Sequence, residues 1–170
     1  MKKLSALLVL LTLATTTLFA QMDKDKGPRE SPKAESKMGN VSVTYGQPSK
    51  KGREIFGGLV PYGQVWRTGA NEATEITFEK DGTFGGKPVK KGTYTLFTIP
   101  NANEWEVILN SQLKQWGAFG YDKVKDKDVL HVTVPAKTSN KVIEKFTMTV
   151  KKDGLLMEWD KTMVWVPIQD

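Results

Sequence analysis

The 170-residue chain contains no cysteine. That excludes a disulfide framework, a thiolate metal site, a cysteine nucleophile and the lipidated cysteine of a lipoprotein. It contains one histidine, His131, so a multi-histidine metal centre is impossible and a zinc site would have to rest mainly on carboxylates. There is no Gly-x-Ser-x-Gly elbow for a serine hydrolase. Phosphate-binding and dinucleotide glycine motifs are also missing, and Gly57-Gly58 has neither a following lysine nor a helix to open. No Asp-x-Asp-x-Asp-Gly loop supports a calcium site. No metal and no cofactor is expected.

A basic run is missing as well. The formal charge is +6, but the lysines alternate with acids, as in Met22 to Lys26 and Lys123 to Asp128, and do not form a track for phosphates. Nucleic acid is therefore not an expected partner. No segment after the N-terminal apolar run is long enough to span a bilayer.

Residues 1–20 carry Lys2 and Lys3, the apolar run Leu4 to Leu13 and a small, polar stretch ending at Ala20, the layout of a secretory signal peptide. Cleavage after Ala20 is expected, although Leu18 fits the small-residue rule poorly. Without Lys2 and Lys3 the chain keeps 23 positive against 19 negative residues. The product would be periplasmic or secreted. Residues 21–39 are mainly lysine, glutamate, serine and proline, a composition that reads as a flexible polar linker. A single domain is expected over residues 40–170.

Period-two alternation dominates that domain. Val41, Val43 and Tyr45 alternate with Ser42 and Thr44, and Ile76 and Phe78 with Glu75, Thr77 and Glu79. The turn signal Asp81-Gly82 follows. In Thr93 to Ile99, Tyr94 and Leu96 fall on one face and Phe97 and Ile99 on the other, the pattern of a central strand covered on both sides. It should form a hairpin with Trp105, Val107 and Leu109. Further strands are expected at Leu130 to Val134, Phe146 to Val150, Leu155 to Trp159 and Met163 to Pro167. About eight strands without a sustained helical period predict an all-β domain, an antiparallel β-sandwich or barrel.

Residues 47–71 and 111–127 break this rhythm, being long, glycine-rich and aromatic. The stretch Tyr45 to Thr74 closely resembles the DUF2911 family, exported proteins of unknown function found largely in Bacteroidota. The likeness begins at Arg29-Glu30-Ser31-Pro32. It continues through Gly92 to Pro100, Trp105 to Asn110 and Gln115 to Asp122, most of the chain after the leader. It implies a family but no activity or ligand.

The candidate site lies in these two segments. Arg53, Trp66, Arg67, Asn71 and Glu72 fall within twenty residues of one another. A guanidinium can hold a carboxylate or phosphate through two parallel hydrogen bonds, and an indole can stack on a sugar ring. Tyr62, Trp116, Tyr121 and Asp122 would line a second wall, with Gly117 and Gly120 admitting close backbone approach. The structural alternative is that Arg67 pairs with Glu72 or Asp122 to pin the loops while Trp66 and Trp116 plug the core. His131 reads as a solvated strand residue opposite Leu130, Val132 and Val134.

The leading expectation is a non-catalytic binding domain for a small anionic or sugar-like ligand. A hydrolase with Glu72 and Asp122 as acid and base is the catalytic alternative. An envelope interaction module using residues 21–39 and exposed strand edges is a third.

Overall fold

The computed structural model of the protein describes residues 31–169. The expected leader, its cleavage point and residues 21–30 of the expected linker lie outside the described residues. Among the described residues nine strands follow one another: β1 (Lys33–Met38), β2 (Val41–Gly46), β3 (Thr74–Phe78), β4 (Gly82–Phe84), β5 (Lys87–Val89), β6 (Gly92–Pro100), β7 (Glu104–Asn110), β8 (Asp128–Lys151) and β9 (Gly154–Gln169). Two short 3-10 turns, Tyr121–Lys123 and Lys125–Lys127, precede β8, and the described residues contain no α-helix. The strands form one antiparallel sheet in the order β1-β2-β3-β6-β7-β8-β9-β4-β5. The fold is all-β and sandwich-like, and the backbone ladder does not close into a barrel.

Two boundaries differ from the sequence-based expectation. Residues 33–38, expected as the end of a flexible linker, form β1, paired with β2 from Lys33↔Gly46 to Met38↔Val41. Alternation here is carried by small side chains: Ala34 packs against the core and Ser36 makes an inward hydrogen bond, so composition alone looks like linker. The second difference lies in β8 and β9, each expected as two strands. Residues 128–135 of β8 pair with β7, and residues 136–151 pair with β9. Between the pairs Thr138↔Thr162 and Thr147↔Glu158, β8 holds five more residues than β9. Such irregularities bend and twist a strand, which lets one strand serve both halves of the fold.

The bend carries the second half of β8 against β1 and β2, where among the described residues its free edge has the isolated bridge Ser49↔Lys145 but no continuous ladder. An unpaired buried N–H is costly, and three substitutes accept from successive inward-facing amides. Phe146 N donates to Pro48 O at 2.9 Å, Met148 N to Tyr45 Oη at 3.0 Å and Val150 N to Ser36 Oγ at 2.9 Å. The opposite edge, β5, is short and carries Lys87 and Pro88, residues that discourage pairing with another chain.

The core lies between these halves. Its aromatic centre is Trp66, whose ring contacts Phe56 (5.9 Å), Trp105 (6.0 Å), Phe146 (5.0 Å) and Trp159 (6.0 Å between centroids, stacked at 16°). Its indole N–H donates to Gly69 O at 3.1 Å, so the polar edge is satisfied as burial requires. Ile55, Phe56 and Val60, from the first long loop, are buried in the same core.

Tyr45→Phe should keep the packing of this ring on Phe146 but strand the Met148 amide, lowering the urea unfolding free energy by about 1–2 kcal/mol. Trp66→Ala should cost about 3–5 kcal/mol. A Trp66 variant of near wild-type stability would contradict its place at the centre of the core.

Candidate functional site

The sheet has a second buried face. Along β6, Leu96 enters the main core while Phe97 turns outward, and Phe97 joins Ala73 and Ile108 in a separate apolar cluster with Val65, Ile99, Ala118 and Tyr121 packed around it. Both irregular loops cover this face. Residues 65–71 run beside β6 where β3 has ended: Trp66 N donates to Thr98 O (2.7 Å) and Thr98 N to Trp66 O (3.0 Å). This pairing sets the alternation. Trp66 points into the core with Thr98, so Val65 and Arg67 point outward.

The chain then turns sharply. Thr68 is fully buried and has φ 55°, a left-handed conformation unusual for a β-branched residue. Its hydroxyl meets Thr98 Oγ1 at 3.0 Å, and its carbonyl accepts from Thr74 Oγ1 at 2.7 Å. Ala70 N donates to Gly46 O, an approach so close that a Cβ on Gly46 would collide with the Ala70 carbonyl. Asn71, at φ 63°, is of a type that tolerates this conformation, and its amide donates to Ser31 O at 3.2 Å.

A small ribbon joins the loops. Ala73 N donates to Gln115 O at 2.9 Å and Gly117 N to Asn71 O at 3.1 Å, which places Glu72 opposite Trp116. Trp116 is 41% exposed. Gly117 adopts φ 70°, and a Cβ there would lie 2.8 Å from the Phe119 ring and 3.7 Å from Arg67 Nη1. The missing side chain therefore lets the Phe119 ring and the Arg67 guanidinium converge on one point. Phe119 is otherwise 86% exposed.

Arg67 is half-buried, and burial pushes its guanidinium below the ordinary arginine value. Its Nε is buried without a hydrogen-bond partner among the described residues. Among the described residues no ion pair involves Arg67, so the expected alternative of a pinning salt bridge to Glu72 or Asp122 is not what holds these loops together. The threonine network, the ribbon and the apolar cluster hold them instead.

The other expected site residues are dispersed. Arg53 folds back on its own turn, with Nε donating to Lys50 O (3.0 Å) and Nη2 to Ser49 O (2.6 Å). Trp66 is in the core, with no open face for stacking on a ligand. Tyr62 is exposed beside Gly57, in a stretch where Gly63 N bonds to Pro100 O at the far end of β6. Asp122 is exposed on the first 3-10 turn. Tyr121 packs edge-on against Phe97 at 5.2 Å, and its hydroxyl donates to Asp128 Oδ2 at 2.6 Å. Burial, then the bond to Asp128, push its phenol well above the ordinary tyrosine value, so Tyr121 is a donor and not a base.

His131 is exposed on β8 opposite buried Leu130, Val132 and Val134, as its sequence reading has it, but its ring also meets two carboxylates. Nδ1 lies 2.6 Å from Glu106 Oε1 and Nε2 lies 3.1 Å from Asp128 Oδ2. Glu106 is a diagonal cross-strand neighbour, since Ile108 pairs with His131 and Glu106 with Thr133. Asp128 reaches the same face because the register slips between Leu109↔Leu130 and Asn110↔Asp128, and that one-residue bulge reverses its facing. Buried Asn110 completes the group, its amide donating to Asp128 Oδ1 and Val124 O, each at 2.7 Å. Of these residues the sequence pattern singled out only Tyr121 as a site candidate. Phe119 was likewise unmarked, and its sole sequence signal is an aromatic residue between glycine-flanked positions.

No curated protein and no solved structure matches the chain. The profile of one family of proteins of unknown function does match, over residues 27–168, and the chain belongs to that family, DUF2911.

Proposed function

We propose that the protein is an exported, non-catalytic binding domain whose ligand is a small anion, a carboxylate or phosphate, held by Arg67. The reading rests on one observation above all, a half-buried guanidinium whose Nε is buried without a hydrogen-bond partner and which makes no ion pair among the described residues. A charge left in that condition costs stability, and a bound anion would remove the cost through charge-assisted hydrogen bonds. The adjoining backbone supports the reading. Thr68 holds a left-handed conformation beside Arg67, and strain of about 1–3 kcal/mol is stored preferentially at functional sites. Phe119 and Gly117 offer an apolar wall and an uncovered approach at the same point. Sugar stacking is less well supported, because Trp66 lies within the core. Export rests on the charged, apolar and small-residue succession of residues 1–20.

The experiment is a calorimetric titration of the protein with inorganic phosphate, acetate, benzoate and citrate, beside Arg67→Met. At least one of these anions should bind the wild type, and binding should vanish in the variant. Binding of none of them, or binding unchanged in the variant, would defeat the proposal.

Stability supplies a second check. Methionine keeps most of the side-chain length without the charge, so Arg67→Met should unfold in urea at equal stability or up to about 1 kcal/mol higher. A loss of about 3 kcal/mol or more would mark Arg67 as a structural residue.

A further inference from the structure

We infer that His131 is a proton-operated latch that ties the 111–127 loop to the sheet. The inference does not depend on the anion reading. Both ring nitrogens face carboxylate oxygens, at 2.6 Å on Glu106 and 3.1 Å on Asp128. An ionised carboxylate only accepts, and a neutral imidazole has one N–H and one lone pair. A neutral ring would therefore turn a lone pair on one of the two oxygens. The imidazolium satisfies both contacts at once, and the arrangement is complete only with that extra proton.

The group is more than a surface ion pair, because Asp128 also secures the loop. Its side chain is 8% exposed and accepts from Tyr121, which lies on the loop, and from Asn110, which ends β7. Asn110 binds the loop at both ends, its Oδ1 accepting from Gln112 N and its amide donating to Val124 O. When His131 gives its proton to solvent, Glu106 or Asp128 loses its donor. The charge that held two carboxylates on one face is lost with it. Tyr121 and the loop it anchors over Phe97 then open more readily.

The charged and titratable groups around the ring come from every neighbouring element. Glu106 approaches from β7 and Asp128 from β8 itself, while Tyr121 on the first 3-10 turn reaches the group through Asp128 and has the charge of Asp122 beside it. β5, which also approaches β8, carries Lys87, and no ion pair joins it to His131 among the described residues.

The test is amide hydrogen exchange on the full chain across the histidine range, from about pH 5 to about pH 8, with protection corrected for the intrinsic pH dependence of exchange. In the wild type, protection of residues 112–124 should fall by about tenfold or more as pH rises, the equivalent of one charged hydrogen bond, while β6 stays protected. His131→Gln should remove this dependence. Glu106→Gln should remove it differently: its amide can donate to a neutral ring that still donates to Asp128, so the loop should stay protected at high pH. A flat wild-type profile, a wild-type fall retained in Glu106→Gln, or an equal fall in β6, which would report global unfolding, would each overturn the latch.

Discussion

The hydrogen-bonded pairing of Trp66 with Thr98 is the contact on which the two faces of this domain depend. It continues the line of β3 beside β6 and sends the Trp66 indole into the core among Phe56, Trp105, Phe146 and Trp159. Backbone alternation then leaves Val65 and Arg67 nowhere to go but the outer face. Hydrophobic burial of one residue thus places the guanidinium of the next, so an irregular loop presents a charged group with the precision of a strand.

Around that contact the molecule departs from what stability alone would favour. Thr68 takes a conformation that glycine adopts without strain, Arg67 buries its Nε without a hydrogen-bond partner among the described residues, and Phe119 stands largely in water. Elsewhere the accounting of polar groups is close to complete. Even the ladderless edge of β8 finds Pro48, Tyr45 and Ser36 as acceptors, and buried Asn110 has its partners. The contrast separates places where the fold is optimised from one where it is not, and the latter is where a ligand is proposed.

Much of the scaffold was legible along the chain. The two-sided character of residues 93–99, their hairpin with residues 105–109 and the all-β class follow from side-chain alternation, a local property. The two loops also stood out, because glycine and aromatic density breaks that alternation. Membership of the candidate site was less legible. Arg53 and Arg67 look equivalent in sequence, yet one bonds carbonyls of its own turn and the other does not. Trp66 and Trp116 look equivalent, yet one is core and the other surface. His131 looked like an ordinary outward strand residue because Asp128, three positions away, is assigned to the opposite face unless the bulge beside it is known.

What the sequence determined by itself was the alternation of strand faces, the turn positions, the absence of thiol and polyhistidine chemistry and the segments able to carry function. These depend on residue type and short-range spacing, which hold wherever the chain goes. The tertiary structure alone decided that β8 and β9 each run unbroken through both halves of the fold, that β1 is a strand and not a linker, and which polar groups meet. Those outcomes depend on register between segments far apart in the chain. A slip of one residue, as between Leu109 and Asn110, exchanges the faces and brings Asp128 to His131.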